Sequence, residues 1–322
     1  MPDELPNPHQ TITFAEDLRS GLLKSGQRVL PSKYLYDEVG SALFEVICVL
    51  HEYGLTRADT RLLRRHAPSW VSQLPAHTCV AELGSGSSKK TRLILEVLAH
   101  KQPTAFYPID ISSAALLQCE RELGDIANLT VSGLHKEYLP GLREATNRRQ
   151  AKGPLLLLFL GSTIGNFDRA SGESFLGAVR ALMSPGDLLL LSADLVKSEA
   201  ELVLAYDDVA GVTAAFNKNV LARINRELGG NFDLSRFDHE ARWNTEARRV
   251  EMHLRARENM TITIQKAELQ LELIAGETIK TEDSYKFELE EIKSLAQRSG
   301  FSCQQQWLDD EWSFSQSLLF AS

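Results

Sequence analysis

Between residues 77 and 196 short, nearly unbroken apolar runs alternate with stretches of helical periodicity. The apolar runs are TCVAELG, AFYPIDI, LTVSGL, LLLLFLG and DLLLLSADLV. Between them, KKTRLILEVLAH, SSAALLQCEREL and the region near 170–183 bring their apolar residues back at helical spacing. A strand that is apolar on both faces belongs inside a parallel sheet covered by helices on either side. The expected fold is therefore α/β: a doubly wound, mainly parallel, Rossmann-like sheet that binds ligands at the carboxyl ends of its strands.

The flanks read differently. Residues 1 to about 56 look helical, with capping-box spacing at Thr13 and Glu16, a stop at Gly26, and a second capping box at Thr56 and Asp59. From 197 the alternation ends. GVTAAFNKNVLARINREL reads as one long helix closed by Gly229 and Gly230, and DHEARWN and RRVEMHLRAR read as strands joined by a turn at Thr245 to Ala247. ELEEIKSLAQRSG then predicts a helix before two last strands, FSCQQQWLD and FSQSLLFA, an antiparallel pair able to join the parallel sheet at its edge. The expected domains are 57–196 with 287–322, and an inserted α+β domain of 1–56 with 197–286.

Composition narrows the function classes. The 322 residues are 43% hydrophobic and 24% charged, which is ordinary globular material. A net charge of -8 argues against a nucleic-acid partner, because phosphate binding needs a basic surface. The cluster RLLRRH, Arg61 to His66, instead fits a helix with a charged outer face. No run approaches the ~18 apolar residues of a membrane span, and MPDELPNPHQ carries no apolar leader. Four scattered cysteines and eight histidines without metal spacing predict neither a disulfide framework nor a metal. We expect a cytoplasmic, metal-free monomer acting on a small molecule.

VAELGSGSSKKT has the order of a strand, a glycine loop and a helix start. Gly84 and Gly86 let the backbone turn and approach a ligand, and Ser87 or Ser88 can cap the helix. The loop lacks the G-x-x-x-x-G-K-[ST] of a phosphate loop, and Lys89 stands where a dinucleotide fingerprint needs its third glycine. Asp110, closing YPID, is placed to accept both ribose hydroxyls of a nucleoside. Glu82 before the loop, two glycines and this acid resemble S-adenosylmethionine (SAM) methyltransferases more than dehydrogenases. After the fourth strand, FLGSTIGNF would bring the bare carbonyl of Gly161 and the amide of Asn166 to the methyl-transfer point. In TEDSYKF, read as extended, Glu282 and Ser284 share a face.

KYLYDEVGSALFE, EYGLTR, ELGSGSSKKT, FLGSTIGN, DLVK, AYDDVAGVTAAFN and TEDSYKF occur in that order. Together they resemble the histidine Nα-methyltransferases of ergothioneine biosynthesis over nearly the whole chain. The resemblance implies a class I SAM methyltransferase fold, with 57–196 and 287–322 as the SAM-binding domain and the inserted domain for substrate. It also implies trimethylation of L-histidine to hercynine. Carried over by motif, Gly84, Gly86, Lys90 and Asp110 would hold SAM. Asn166 and Tyr206 would bind the substrate carboxylate, and Tyr36 and Gly161 would face the amine. Tyr53, Glu282 and Ser284 would hold the imidazole, with Phe44, Thr213 and Met252 lining its surroundings. Two positions depart from the family. Leu134 and His135 replace an acidic–aromatic pair that meets adenine, so backbone groups are expected to serve there. Gly54-Leu55 replaces Tyr-Pro, which is expected to loosen the loop carrying Tyr53. The competing readings are a methyltransferase for another amine such as tryptophan, a catalytically silent SAM sensor, and an NAD dehydrogenase.

Overall fold

The computed structural model describes residues 8–149 and 153–322. They fall into two compact units, one comprising the chain up to Tyr53 with Ser198–Ser284, the other Gly54–Lys197 with Tyr285–Ser322.

The second unit is the α/β part. Its eight-stranded sheet runs Phe301–Asp309, Phe314–Ala321, Leu188–Asp194, Leu155–Phe159, Cys79–Leu83, Thr104–Asp110 and Leu129–Val131, and Leu134–His135 also pairs with Thr104–Asp110. The strands from Leu188–Asp194 onward pair in parallel. Phe314–Ala321 lies antiparallel between Phe301–Asp309 and Leu188–Asp194, as the chain's last two apolar runs suggest. The centre is fully buried because it is apolar on both faces: Leu155 to Phe159 have no exposed residue. Helices Gly54–Val71 and Arg92–Lys101 pack together over one part of this core, where Leu63, Val71, Ile94, Leu95 and Leu98 meet Val80, Leu156 and Leu158. LTVSGL forms two short strands rather than one, interrupted at Ser132 and Gly133.

The first unit is α+β. Its four-stranded sheet has the order Arg28–Val29, Thr278–Tyr285, Arg249–Ala256, Phe237–Asn244. Helix Val212–Leu228 packs on this sheet and on helix Glu38–Ile47, and it ends at Gly229 with φ 67°, the left-handed conformation a glycine stop supplies. A hairpin, Met260–Ile264 with Leu269–Leu273, was not among the expected elements. Its segments MTITI and LQLEL alternate buried and exposed positions strictly, the signature of a half-buried strand.

Both predicted capping boxes fail, for one reason. The first helix runs Pro8–Leu22, so Thr13 and Glu16 are interior positions, and Gly26 (φ 87°) lies in the turn beyond its end. Burial of Phe14, Leu18 and Leu22 along one helical face outweighs the local signal. The next long helix begins at Gly54, ahead of Thr56, and Asp59 points inward with no exposed surface. Neither Ser87 nor Ser88 caps the helix after the glycine loop. It starts at Arg92, with Thr91 as its cap residue. Gly54-Leu55 stands in a helix rather than in a loop. Gly54 opens the helix, and the Trp312 indole lies 2.1 Å from where a Cβ would stand, so only glycine fits beneath it.

Candidate active site

In the first unit six of the expected acceptor residues form a closed circuit of contacts. Tyr36, just after the 3-10 turn Ser32–Leu35, meets Phe44 edge-on at 5.5 Å. Phe44 meets Tyr53 at 6.2 Å, and Tyr53 meets Tyr206 at 6.0 Å, both edge-to-face arrangements that aromatic quadrupoles favour. The Tyr206 hydroxyl lies 2.7 Å from Ser284 Oγ. Two residues back on the same strand face, Glu282 Oε1 accepts from the Tyr36 hydroxyl at 3.5 Å and closes the circuit. Phe216, which lies within AYDDVAGVTAAFN but was not among the expected site residues, supports it from the long helix at 5.4 Å from Tyr36.

Strand Thr278–Tyr285 carries Glu282 and Ser284 into this surrounding with only 8% and 5% of their surface exposed. A carboxylate so enclosed needs hydrogen-bond donors. Burial drives the Tyr53 phenol well above its ordinary pKa, and neighbouring Tyr206, Cys48, Tyr36 and Glu282 add to the effect. Tyr53 therefore stays a neutral hydroxyl, able to donate or accept, and is no base. Met252 and Thr213 are buried nearby in sequence and topology, Met252 on the adjacent strand and Thr213 in the first turn of the long helix. Their side chains are not links of the circuit. Thr213 is tied by its backbone N–H to Asp208 at 2.7 Å.

The second unit gathers the nucleoside candidates. Gly84 and Gly86 take φ of 69° and 51°, so the strand Cys79–Leu83 can reverse into its helix. A Cβ at Gly84 would lie 3.3 Å from the Tyr138 hydroxyl, which underlies the loop. The Asp110 carboxylate accepts from Gly86 N at 3.0 Å and from Ser112 N at 2.9 Å. Ser112, not Asp110, caps the following helix. The Ile111 N–H is a further donor to this carboxylate, whose roughly four lone-pair sites leave capacity for a ribose hydroxyl. Leu134 and His135 stand in register with Ile109 and Asp110, Leu134 buried and His135 exposed. His135 Nε2 lies 2.8 Å from the Ile111 carbonyl, which can only accept, so that nitrogen carries a proton.

The strongest polar feature here is Asp59, which no motif marked as part of a site. Its Oδ2 receives Lys90 Nζ at 2.6 Å and Gly161 N at 2.9 Å, while Oδ1 receives Ser192 Oγ at 2.7 Å and Gln316 Nε2 at 2.6 Å. One buried carboxylate thus fixes both Lys90 and the backbone of FLGSTIGNF. Gly161 (φ 71°) and Ser162 (φ 63°) are consecutive left-handed residues that turn the strand Leu155–Phe159 into the 3-10 helix Thr163–Asn166. Asn166 ends that helix, half-exposed. Glu82, fully enclosed at the strand end, accepts from Thr91 Oγ1 at 2.7 Å and Ser88 Oγ at 3.3 Å, and burial pushes its carboxyl up to about 8. Bare glycines at left-handed φ and an acid with remaining acceptor capacity fit a nucleoside cofactor.

Residues 14–321 match the family described as histidine-specific methyltransferase, SAM-dependent. The chain belongs to this family. It is 40% identical over 312 residues to a histidine N-alpha-methyltransferase of Mycobacterium tuberculosis, covering 95% of this chain and 94% of that one. A histidine N-alpha-methyltransferase of Mycolicibacterium smegmatis is also 40% identical, over 94% and 93% of the two chains. Ergothioneine biosynthesis protein 1 of Schizosaccharomyces pombe is 32% identical over 84% of this chain and 36% of its own. The protein is accordingly a SAM-dependent methyltransferase with a Rossmann-like α/β sheet, and SAM is its methyl donor. Among the described residues, no helix is long and apolar enough to cross a membrane.

Proposed function

We infer that this methyltransferase transfers three methyl groups to the α-amine of L-histidine and releases hercynine, the trimethylated betaine. The observation that carries the substrate is the enclosed Glu282–Ser284 pair in its aromatic circuit. An imidazole offers an N–H to the Glu282 carboxylate and a second ring nitrogen to a hydroxyl such as that of Tyr53. An indole has one N–H and no ring acceptor, and a phenyl ring has neither. Either would leave a buried polar group unmet at about 1–3 kcal/mol, so discrimination comes from the penalty for the wrong ring.

Bound SAM supplies an electrophilic methyl on a sulfonium. Gly84, Gly86, Lys90 and Asp110 would hold it, with Leu134 and His135 beside its base through their backbone. For the acceptor, Asn166 and Tyr206 would take the carboxylate and Tyr36 and Gly161 would face the amine, while Phe44, Thr213 and Met252 bound the ring. The amine must be neutral to attack, since an ammonium has no lone pair. Each transfer would form one N–C bond as the methyl–sulfur bond breaks and the neutral thioether leaves, and the proton lost from nitrogen before the next attack would leave by way of Tyr36 or water. With Tyr53 held neutral, the residues contribute alignment rather than a strong base, an effect worth up to about 7–11 kcal/mol. The growing quaternary ammonium is suited to the ring faces of Tyr36 and Phe44. Tyr36, Gly161 and Asn166 are the catalytic assignments. The protein would act as a cytoplasmic monomer without a membrane partner, and its acidic charge balance supports the reading that it has no nucleic-acid partner.

The test is incubation with SAM and each of the twenty amino acids, read by product mass. Histidine alone should gain one, two and three methyls on the α-nitrogen, and histamine, lacking the carboxylate, should react poorly. Methylation confined to a ring nitrogen, or equal turnover of tryptophan, would overturn the assignment.

A further inference from the structure

Behind Tyr206 lies a polar chain that no substrate contact uses. His239, on strand Phe237–Asn244, places Nε2 2.8 Å from the Tyr206 carbonyl and Nδ1 2.9 Å from Asn217 Nδ2. Asn217, fully buried in the long helix, also donates Nδ2 to the His253 carbonyl at 3.1 Å. Its Oδ1 accepts from Thr281 Oγ1 at 2.6 Å, and Thr281 immediately precedes Glu282.

These partners fix the histidine's protonation. A carbonyl only accepts, so the amide group facing His253 O must be the NH2. The other N–H of that NH2 faces His239 Nδ1, which must then be the acceptor. The ring proton therefore sits on Nε2 and is donated to the Tyr206 carbonyl. Tyr206 is held at both ends, its carbonyl by His239 and its hydroxyl by Ser284. Protonation of Nδ1 would set two donors face to face and force Asn217 to give up either His253 or His239.

We propose that His239 is a positioning residue for the acceptor: as the neutral Nε2–H tautomer it locks Tyr206, and its protonation in acid breaks the Asn217 contact that seats the ring behind Tyr206 and so weakens histidine binding. The proposal rests on the assignment of Tyr206 to the substrate. The charged groups facing the ring are Asp207, 3.9 Å from Nε2, Asp208 on the same segment, and Lys218 on the long helix. Burial leads among the influences and holds the imidazole below its ordinary range despite the two aspartates, so the lock is closed at neutral pH.

Calorimetry with L-histidine and with SAM, and nitrogen-15 spectra of the histidine rings, test this on the whole protein. His239→Ala should weaken histidine binding about three- to tenfold, as for one lost hydrogen bond, and leave SAM binding unchanged. His239→Gln, whose amide N–H can reach the same carbonyl and does not titrate, should recover most of that loss and make the acid decline in histidine affinity shallower, leaving only the part that the substrate's own imidazole contributes. In the wild type, the His239 ring should show the Nε2–H form at pH 7. Unchanged histidine affinity in His239→Ala, an equal loss for SAM, or an acid decline as steep in His239→Gln as in the wild type would overturn the lock. Should the wild type bind SAM but not histidine, the substrate assignment fails instead. The ring spectra still decide the lock in that case, since an Nδ1–H form overturns it.

Discussion

The two units hold their candidate residues by different means. In the α/β unit main chain does much of the holding: Gly84, Gly86 and Gly161 take left-handed φ, Asp110 collects the N–H groups of Gly86 and Ser112, and Asp59 takes that of Gly161 beside side-chain donors from Lys90, Ser192 and Gln316. In the α+β unit they are side chains touching side chains, from Tyr36 through Phe44, Tyr53 and Tyr206 to Ser284 and Glu282. The difference fits the roles proposed for them. A cofactor shared by many enzymes can be held by peptide groups that every sequence supplies. An amino acid that must be told from nineteen others needs functional groups that only particular side chains provide.

The largest test of this contrast is pH. Burial holds the Glu82 carboxyl at about 8 in the α/β unit. In the α+β unit burial also pushes Glu251 upward, but hydrogen bonds from Arg249, Asn244 and His253 and the Arg249 charge outweigh it and leave that carboxyl at about 2. The signs are opposite. Between the unfolded carboxyl value of roughly 4.3 and about 8, native Glu82 keeps a proton that the unfolded chain has lost, so the α/β unit loses stability as pH rises. Glu251 contributes above the unfolded value, and its share is lost as pH falls toward about 2. Each effect is on the order of a few kcal/mol. Urea titrations read by peptide-resolved hydrogen exchange should show the two units weakening at opposite ends of the scale, with Glu82→Gln and Glu251→Gln each flattening only its own limb. A common pH profile for both units would break the contrast.

Next in size is Asp59→Ala. It strands the Lys90 ammonium and the Gly161 N–H and removes the partner of Ser192 and Gln316. Breaking one side of a buried ion pair costs about 3–5 kcal/mol, and Lys90 retains some solvent access, so the lower end applies. Exchange protection should fall in Gly54–Lys197 and SAM affinity with it, while Ser198–Ser284 keeps its protection. Equal loss in both units would mean that they unfold as one.

The same contrast explains what could be read from sequence. Local order gave the α/β sheet, because runs such as LLLLFLG and DLLLLSADLV are apolar on both faces and nothing distant was needed to place them. It also pointed to Gly84, Gly86 and Asp110 as candidates, which stand at the carboxyl ends of two successive strands, Cys79–Leu83 and Thr104–Asp110. Capping signals at Thr13 and Thr56 misled because burial of Phe14, Leu18 and Asp59 is decided by partners far away in the chain. Asp59 itself was invisible as a hub, since its donors come from positions 90, 161, 192 and 316. The acceptor circuit spans Tyr36 to Ser284, and no spacing rule connects them. It was legible only because a family motif order named its members together.

Glu282→Ala sharpens the acceptor side. Losing a charged hydrogen-bond acceptor should reduce histidine affinity by about 1.5–3 kcal/mol and leave SAM binding unchanged. The vacated volume and the missing penalty should raise kcat/KM for tryptophan relative to histidine, further so with Met252 made smaller. A histidine-to-tryptophan ratio equal to that of the wild type would return Glu282 to a purely structural role.

Ser284→Ala is the mildest variant and tests whether the circuit acts as a unit. Ser284 Oγ lies 2.7 Å from the Tyr206 hydroxyl, so the substitution touches two acceptor assignments through one neutral bond. A neutral hydrogen bond contributes about 0.5–1.5 kcal/mol, less than the charged one at Glu282. Histidine affinity should therefore fall up to about tenfold, with tryptophan gaining less than in Glu282→Ala. Tyr206→Phe removes the same bond from its other end. If Tyr206 and Ser284 act together, the double variant should cost less than the sum of the two singles, since the bond they share can be lost only once. Strict additivity would mean that the two hydroxyls serve independent parts of the substrate. The imidazole would then rest on Glu282 and Tyr53 alone.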